Sequence, residues 1–358
     1  MGRLVIHIGP HKTGTTALQQ WLTNNERALE RSGWSYPPEG RGPEPPYDRH
    51  DDLALNATEY FAGDGVRGTA MKTLRQRVAS GNVVLSCESW SMATAASLVE
   101  LTQALGAPRA EIVFVERDPL ERIRSVWAER VKSGLVSSLA EFVTPHLDRP
   151  RASTILNAGP RLRRIDGEDR LELRMMSYEA LRARDALLQA FAEKVLGVPF
   201  FESRHDGRAN VSPSLELLEF LRVASIREGS GDGAAAIRRR RVLEALPAGD
   251  RRAIEALVRE RGVPAKRAIV VRRDTPAMRE LRTLGTREFR EAFVGPVAAP
   301  PDDFSPLRWA YYDAEPLLAD PAILARIDEV NARTSAAAGM GIAKRTWGFL
   351  RWTAGRVR

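Results

Sequence analysis

Four short apolar runs mark the first half of the chain, each bounded by turn residues or polar stretches. Leu4-Val5-Ile6-His7-Ile8 is β-branched and ends at Gly9-Pro10, so it predicts a buried strand followed by a turn. Val83-Val84-Leu85-Ser86 and Ile112-Val113-Phe114-Val115 have the same character, and Leu171-Glu172-Leu173-Arg174-Met175 gives a fourth strand. Between these runs the spacing becomes helical. Ala17, Leu18, Trp21, Leu22 and Leu29 share one side of a helix expected from about Thr15 to Arg31. Amphipathic stretches follow near residues 51–61 and 69–79, and helices are expected over 91–105 and 178–195. Asp118-Pro119 reads as a helix start, a capping aspartate with proline at the first helical position. Leu120, Ile123, Trp127 and Val131 keep the period from there to Gly134. Residues 37–50 hold five prolines and two glycines, which predicts a loop or lid.

Strands alternating with helices predict a parallel sheet covered on both faces, a three-layer α/β/α architecture. After residue 210 the pattern is mostly helical and rich in arginine, which predicts a helical C-terminal part. The expected organisation is an α/β core over 1–225, an arginine-rich helical continuation of the same domain over 226–300, and a basic, aromatic segment over 301–358. No internal repeat is visible.

Composition narrows the class. With 43% hydrophobic and 28% charged residues the chain can bury a core. Its one cysteine, Cys87, excludes an intramolecular disulfide and a cysteine-rich metal site, and fits a reducing compartment. No stretch reaches the ~18 apolar residues of a membrane span, nor does the N-terminus carry a signal-peptide core, so a cytoplasmic protein is expected. The net charge of +8 favours anionic partners.

Gly9-Pro10-His11-Lys12-Thr13-Gly14-Thr15-Thr16 lies between the first strand and the first helix, the context a phosphate-binding loop requires. Backbone N–H groups and the helix dipole favour an anion there, the glycines let the backbone come close, and Thr15 and Thr16 add hydroxyls. A nucleoside-triphosphate loop carries its lysine directly after the second glycine. Here Lys12 precedes that glycine by two residues, so the lysine approaches from the loop's other side. Arg117 lies just past the third strand, at the rim where open α/β sheets bind ligands, and Ser125 stands about two turns into the next helix. An arginine fork with a hydroxyl suits a second, terminal phosphate.

Together the two segments resemble the nucleotide-dependent sulfotransferases, in which a K-[ST]-G-T-T loop holds a 5′-phosphosulfate and R-[DN]-P with a later serine holds a 3′-phosphate. Lys12-Thr13-Gly14-Thr15-Thr16 and Arg117-Asp118-Pro119 with Ser125 stand in that order and spacing. The fuller run from His7 to Thr16 is most similar to bacterial sulfotransferase-family proteins, and the likeness covers roughly residues 3–220. It implies a P-loop NTPase-like core and transfer of a sulfuryl group from 3′-phosphoadenosine 5′-phosphosulfate, the co-substrate, to an acceptor hydroxyl or amine. A glycan or lipid-linked sugar is the favoured acceptor. Displacement is in line, Lys12 neutralises charge on the leaving nucleotide, and no metal is required. His11, Lys12, Thr13, Gly14, Thr15 and Thr16, with Arg117, Ser125 and Arg208, are the expected nucleotide contacts. The expected base is Glu88, just past the second strand; His11 and His50 are its substitutes, and His7 reads as a core histidine.

The run Arg238 to Arg241 reads as a solvated helix face or as a track for an acidic glycan. From residue 330 onward six basic and no acidic residues accompany Trp347, Phe349 and Trp352, which suits either contact with an anionic membrane surface or packing on the body. The expected partner is the acceptor, an acidic glycan or lipid, rather than nucleic acid. Two alternatives compete: a P-loop kinase or nucleotide hydrolase, and a non-catalytic binder of anionic polymer or membrane through the basic C-terminal third.

Overall fold

The computed structural model describes residues 2–42, 48–182, 186–202, 213–229, 233–299 and 303–333. Five parallel strands form one sheet: β1 (Leu4–His7), β2 (Trp34–Ser35), β3 (Asn82–Ser86), β4 (Ala110–Glu116) and β5 (Leu171–Ser177), in the order β2-β3-β1-β4-β5. The four apolar runs therefore become β1, β3, β4 and β5. The near-continuous burial of β1, β3 and β4 suits strands covered on both faces, whereas β5, last in the order, alternates buried Leu171 and Leu173 with the partly exposed Glu172 and Arg174. Alternate residues serve opposite faces. Leu4, Ile6, Leu85, Ile112 and Phe114 enter one apolar cluster with Leu74, Leu98, Leu101 and Leu162. Val5, Val84, Val113 and Val115 enter another with Leu18, Trp21, Leu22 and Phe191. The class is α/β with a central, all-parallel sheet, compatible with three layers.

Several elements differ from the sequence expectation. The helix expected over 15–31 is two helices, Thr15–Asn24 and Glu26–Arg31. Asn25 interrupts them at φ −111°, ψ 16°, and its side-chain amide donates to the Trp21 carbonyl at 2.9 Å. Asparagine commonly uses its side chain this way to compete with the backbone ladder. The 91–105 helix begins later, at Ala95, because Thr94 caps it by accepting from the Ser97 N–H, and residues Glu88–Met92 form a separate 3₁₀ turn. The stretch expected as one helix over 178–195 contains Tyr178–Arg182, Leu187–Ala190 and a π-helical turn, Phe191–Leu196.

Contacts divide the chain into two compact units. The first comprises Met1–Ile123, Pro150–Gly207 and Asp274–Phe304, and contains the whole sheet. The second comprises Arg124–Arg149, Arg208–Arg273 and Ser305–Arg358. Within the second unit the mostly helical pattern is joined by two strands that the sequence reading did not place, β6 (Lys266–Val271) and β7 (Leu307–Tyr312), which pair as an antiparallel ribbon. Its interior holds an ion pair: Arg222 donates to Glu219 at 2.6 Å and to the Tyr312 carbonyl at 2.7 Å, while the Tyr312 N–H donates back to Glu219 at 3.3 Å. Arg239, from the four-arginine run, is buried as well and is held by Ser225, Glu228 and Asn331. That position belongs to the unit's interior rather than to a solvent-facing track. Among the described residues no helix is long and apolar enough to cross a membrane. The aromatic residues of the C-terminal tail, Trp347, Phe349 and Trp352, lie outside the described residues.

Candidate functional site

Strand order sets where a ligand can sit. From β1 the chain travels to β2 and β3 on one side, then crosses β1 to reach β4 and β5 on the other. The connections leaving β1 and β4 thus diverge, and a crevice opens at their carboxyl ends, the place where open α/β sheets bind ligands. Pairing continues past the strands, with the Cys87 N–H on the His7 carbonyl at 3.0 Å and the Val115 N–H on the Gly9 carbonyl at 2.9 Å. The ends of β1, β3 and β4 are thereby held side by side.

The loop after β1 turns through three left-handed residues, Gly9 (φ 81°), Lys12 (φ 70°) and Gly14 (φ 80°). Lys12 alone carries a side chain there, a conformation that costs an ordinary L-residue roughly 1–2 kcal/mol. Gly14 has a second constraint: a Cβ at that position would stand 2.4 Å from Leu187 Cδ2. The Thr13 hydroxyl donates across the turn to the Pro10 carbonyl at 2.7 Å, and Thr13 is fully buried. Gly14 then opens the Thr15–Asn24 helix with no side-chain cap and no acidic residue in its first turn. The first intrahelical bond runs from Leu18 N–H to the Gly14 carbonyl, so the N–H groups of Thr15, Thr16 and Ala17 precede it.

Arg117 stands one residue past β4. Its Nη1 donates to the Lys12 carbonyl oxygen at 2.5 Å, and its guanidinium carbon lies 5.0 Å from the centre of the Tyr178 ring. Glu121 is 3.9 Å away, one helical turn further on. The expected cap is present: Asp118 Oδ1 accepts from the Leu120 N–H at 2.8 Å, while Oδ2 accepts from Arg282 Nε at 2.8 Å.

Glu88 closes the third side. It is buried at the end of β3, and both carboxylate oxygens are engaged. Oε1 accepts the Thr15 hydroxyl; Oε2 faces His11 Nδ1 at 2.6 Å and Arg49 Nη1 at 4.0 Å. Burial alone would raise this carboxyl, but His11, Thr15 and Arg49 together outweigh it and lower the pKa to about 2. The His11 side chain, by contrast, is 53% exposed.

Of the residues expected to form the site, His11, Lys12, Thr13, Gly14, Thr15, Thr16, Glu88 and Arg117 come together in the first unit. Ser125 belongs to the second unit, on the continuation of the Pro119–Lys132 helix, and Arg208 lies outside the described residues. His50 is wholly buried between the Ser86 and Pro37 backbones, and burial lowers its pKa to about 3; burial likewise lowers His7 to about 4. Burial leaves neither ring exposed to a substrate.

The sequence reading missed Arg49 and Tyr178. Tyr178 directly follows β5, so its place at the sheet's carboxyl edge was a usable signal. Arg49 sits among the loop's prolines and glycines, and nothing local marks it. Glu116 lies against Gly285, where a Cβ would come within 1.9 Å of its carboxylate. Burial, then Glu179 and Asp118, raise its pKa to about 7 against the opposing Gly285 N–H. Among the described residues no group of three or more His, Cys, Asp or Glu is arranged to hold a metal ion.

No protein-family model matches this chain, and no curated protein or solved structure matches it.

Proposed function

We propose that the residue 9–16 loop and Arg117 form one nucleotide cleft of P-loop type, and that the chain transfers a sulfuryl group from 3′-phosphoadenosine 5′-phosphosulfate to an acceptor hydroxyl or amine. The observation that carries this reading is the hydrogen bond from Arg117 to the Lys12 carbonyl. It ties both expected anion-binding segments to one crevice at the β1/β4 divergence. A guanidinium has five N–H donors, so holding a carbonyl leaves capacity for a phosphate. The uncapped start of the Thr15–Asn24 helix supplies oriented N–H groups and positive dipole for the 5′-phosphate.

In this reading Lys12 meets the charge that develops on the 5′-phosphate oxygen as the sulfur–oxygen bond breaks, which is positioning plus electrostatic stabilisation. Ser125 is the proposed second ligand of the 3′-phosphate and Arg208 a late contact, both from the motif. The acceptor class proposed is a glycan or lipid-linked sugar, in the cytoplasm.

The test is binding. Adenosine 3′,5′-bisphosphate should bind in the absence of Mg²⁺ and raise the melting temperature, by about 2.7 kcal/mol of added stability at one hundred times its Kd. Lys12→Ala and Arg117→Ala should each abolish most of that shift. A protein stabilised by Mg·ATP alone is instead a P-loop kinase or hydrolase.

A further inference from the structure

Two arginines of the first unit are drawn inward without a counter-ion. Arg122, on the Pro119–Lys132 helix, is 7% exposed. Arg161, on the Gly159–Asp166 helix, is partly buried, and its Nε and Nη2 are shut off from solvent with no hydrogen-bond partner. Among the described residues, Arg122 Nη2 donates to the Thr154 carbonyl at 3.3 Å, Arg161 Nη1 reaches Met92 Sδ at 3.7 Å, and no carboxylate pairs with either guanidinium. The two charges act on each other instead. Burial and the neighbouring Arg161 push the Arg122 pKa down to about 10, and burial lowers that of Arg161. Other buried arginines are neutralised: Arg222 by Glu219, Arg239 by Glu228 and Arg282 by Asp118. An arginine is rarely taken out of water unpaired, because only an opposite charge offsets the loss of hydration. The pair therefore calls for an anion that the described part of the chain does not itself supply.

We propose that Arg122 and Arg161 form a binding site for one oxyanion, a carboxylate or sulfate group borne by a sugar of the acceptor. That the sugar is the acceptor rests on the sulfotransferase reading above; the anion site itself does not. The two unpartnered nitrogens of Arg161, Nε and Nη2, make up one edge of the guanidinium, the edge that takes two oxygens of a carboxylate or sulfate side by side. Arg122 adds a second positive charge, with donors beyond the one on Thr154. Position links the pair to the cleft. Met92 ends the 3₁₀ turn that Glu88 opens, about 8 Å along that turn, and is 61% exposed, so the Arg161 end of the pair adjoins the surface. Arg122 lies on the helix that Asp118 caps, five residues after Arg117. An acceptor sugar with its reacting hydroxyl in the cleft would set an acidic substituent toward the arginines. A neutral sugar would leave two buried charges unpaired, which makes the site a means of selecting acidic acceptors.

The experiment follows the melting temperature of the full chain in sodium glucuronate, a sugar-borne carboxylate, in sodium sulfate, a free oxyanion, and in sodium chloride at the same ionic strength. Glucuronate should stabilise the wild type beyond chloride. It should do the same for Arg117→Ala, in which the nucleotide cleft is impaired. Arg161→Met keeps the length of the side chain and deletes its charge, so glucuronate binding should weaken ~10-fold or more, the cost of losing a hydrogen bond to a charged group. The same substitution relieves a buried like-charge pair, and in chloride the variant should melt no lower than wild type, which separates lost binding from lost folding. Arg122→Met should lose the glucuronate response as well. Adenosine 3′,5′-bisphosphate should bind Arg161→Met as tightly as wild type. A glucuronate response that survives in Arg161→Met, or is absent from wild type, overturns the inference and leaves the nucleotide reading standing. So does stabilisation by sulfate without glucuronate, which makes a free inorganic ion the occupant. An Arg161-dependent glucuronate response in a wild-type chain that fails to bind adenosine 3′,5′-bisphosphate overturns the sulfotransferase reading and supports the oxyanion site.

Discussion

Arg117 and Lys12 are 105 residues apart in the chain, and the guanidinium of the first donates to the carbonyl oxygen of the second. The bond makes the shape of the loop after β1 depend on the segment after β4. It also fixes the arginine, with Tyr178 beneath it, at the mouth of the crevice.

Arg117→Lys should therefore behave almost as badly as Arg117→Ala. A lysine ammonium is a point charge on a flexible stem and cannot hold a backbone carbonyl and a phosphate in one plane. Isothermal calorimetry with adenosine 3′,5′-bisphosphate should give a loss of about 1.5–3 kcal/mol for either, the range for hydrogen bonds to charged groups. Tyr178→Ala, which removes only the ring under the guanidinium, should cost about 0.5–2 kcal/mol.

Lys12 separates charge from backbone. Lys12→Gly and Lys12→Ala both delete the ammonium and should lose activity alike. The glycine variant adopts φ 70° without the penalty of a Cβ, so denaturant unfolding should find it no less stable than the alanine variant, with a gap of about 1 kcal/mol in its favour. Gly14→Ala meets both the left-handed backbone and Leu187 and should destabilise by about 1–3 kcal/mol.

Buried titrating groups set opposite pH trends. The folded-state pKa of Glu116 is raised to about 7 from the usual 4.5, so the folded state holds its proton more tightly. Its contribution is fully present below about pH 4.5 and is lost as pH rises toward and through 7. Glu116→Gln keeps an acceptor for the Gly285 N–H and does not titrate, so its melting temperature relative to wild type should climb from pH 4.5 to pH 8. His7 and His50 act in reverse. Their pKa values are lowered to about 4 and about 3 from 6.5, so their contribution is present above pH 6.5 and is lost as pH falls toward 4 and below. A flat profile for Glu116→Gln relative to wild type would remove Glu116 from this role.

In the second unit, Arg222→Ala leaves Glu219 buried without its counter-ion and should destabilise by about 3–5 kcal/mol in urea unfolding. Arg241 is exposed, and Arg241→Ala should stay within about 0.5 kcal/mol of wild type.

How much was legible varied with the range of the interaction. β1, β3 and β4 stood out because strands covered on both faces must be almost wholly apolar, and β5 by its alternation of apolar and polar residues, whereas the two-residue β2 is too short to carry any period. The break at Asn25 hides inside a helical pattern because Trp21 and Leu22 before it and Leu29 after it all pack in the same cluster. At the site, the glycine loop was visible from local spacing, since left-handed turns and helix starts have their own residue preferences. Glu88 was visible as a carboxylate at a strand end. Its engagement by His11 and Thr15 was not, because a contact between β3 and the β1 loop leaves no trace in either segment.

What the amino-acid order alone determined is local: four buried strands, the helix starts at Gly14 and Asp118, and a turn able to present backbone N–H groups to an anion. These follow from sterics and short-range hydrogen bonding within a few residues. The tertiary structure decided the rest. Strand order brought the β1, β3 and β4 termini into one crevice, His11, Thr15 and Arg49 held Glu88 ionised against its burial, and separate ion pairs with Glu219 and Glu228 drew Arg222 and Arg239 inward. Desolvation and long-range pairing exist only once distant segments have met, which is why no local pattern announces them.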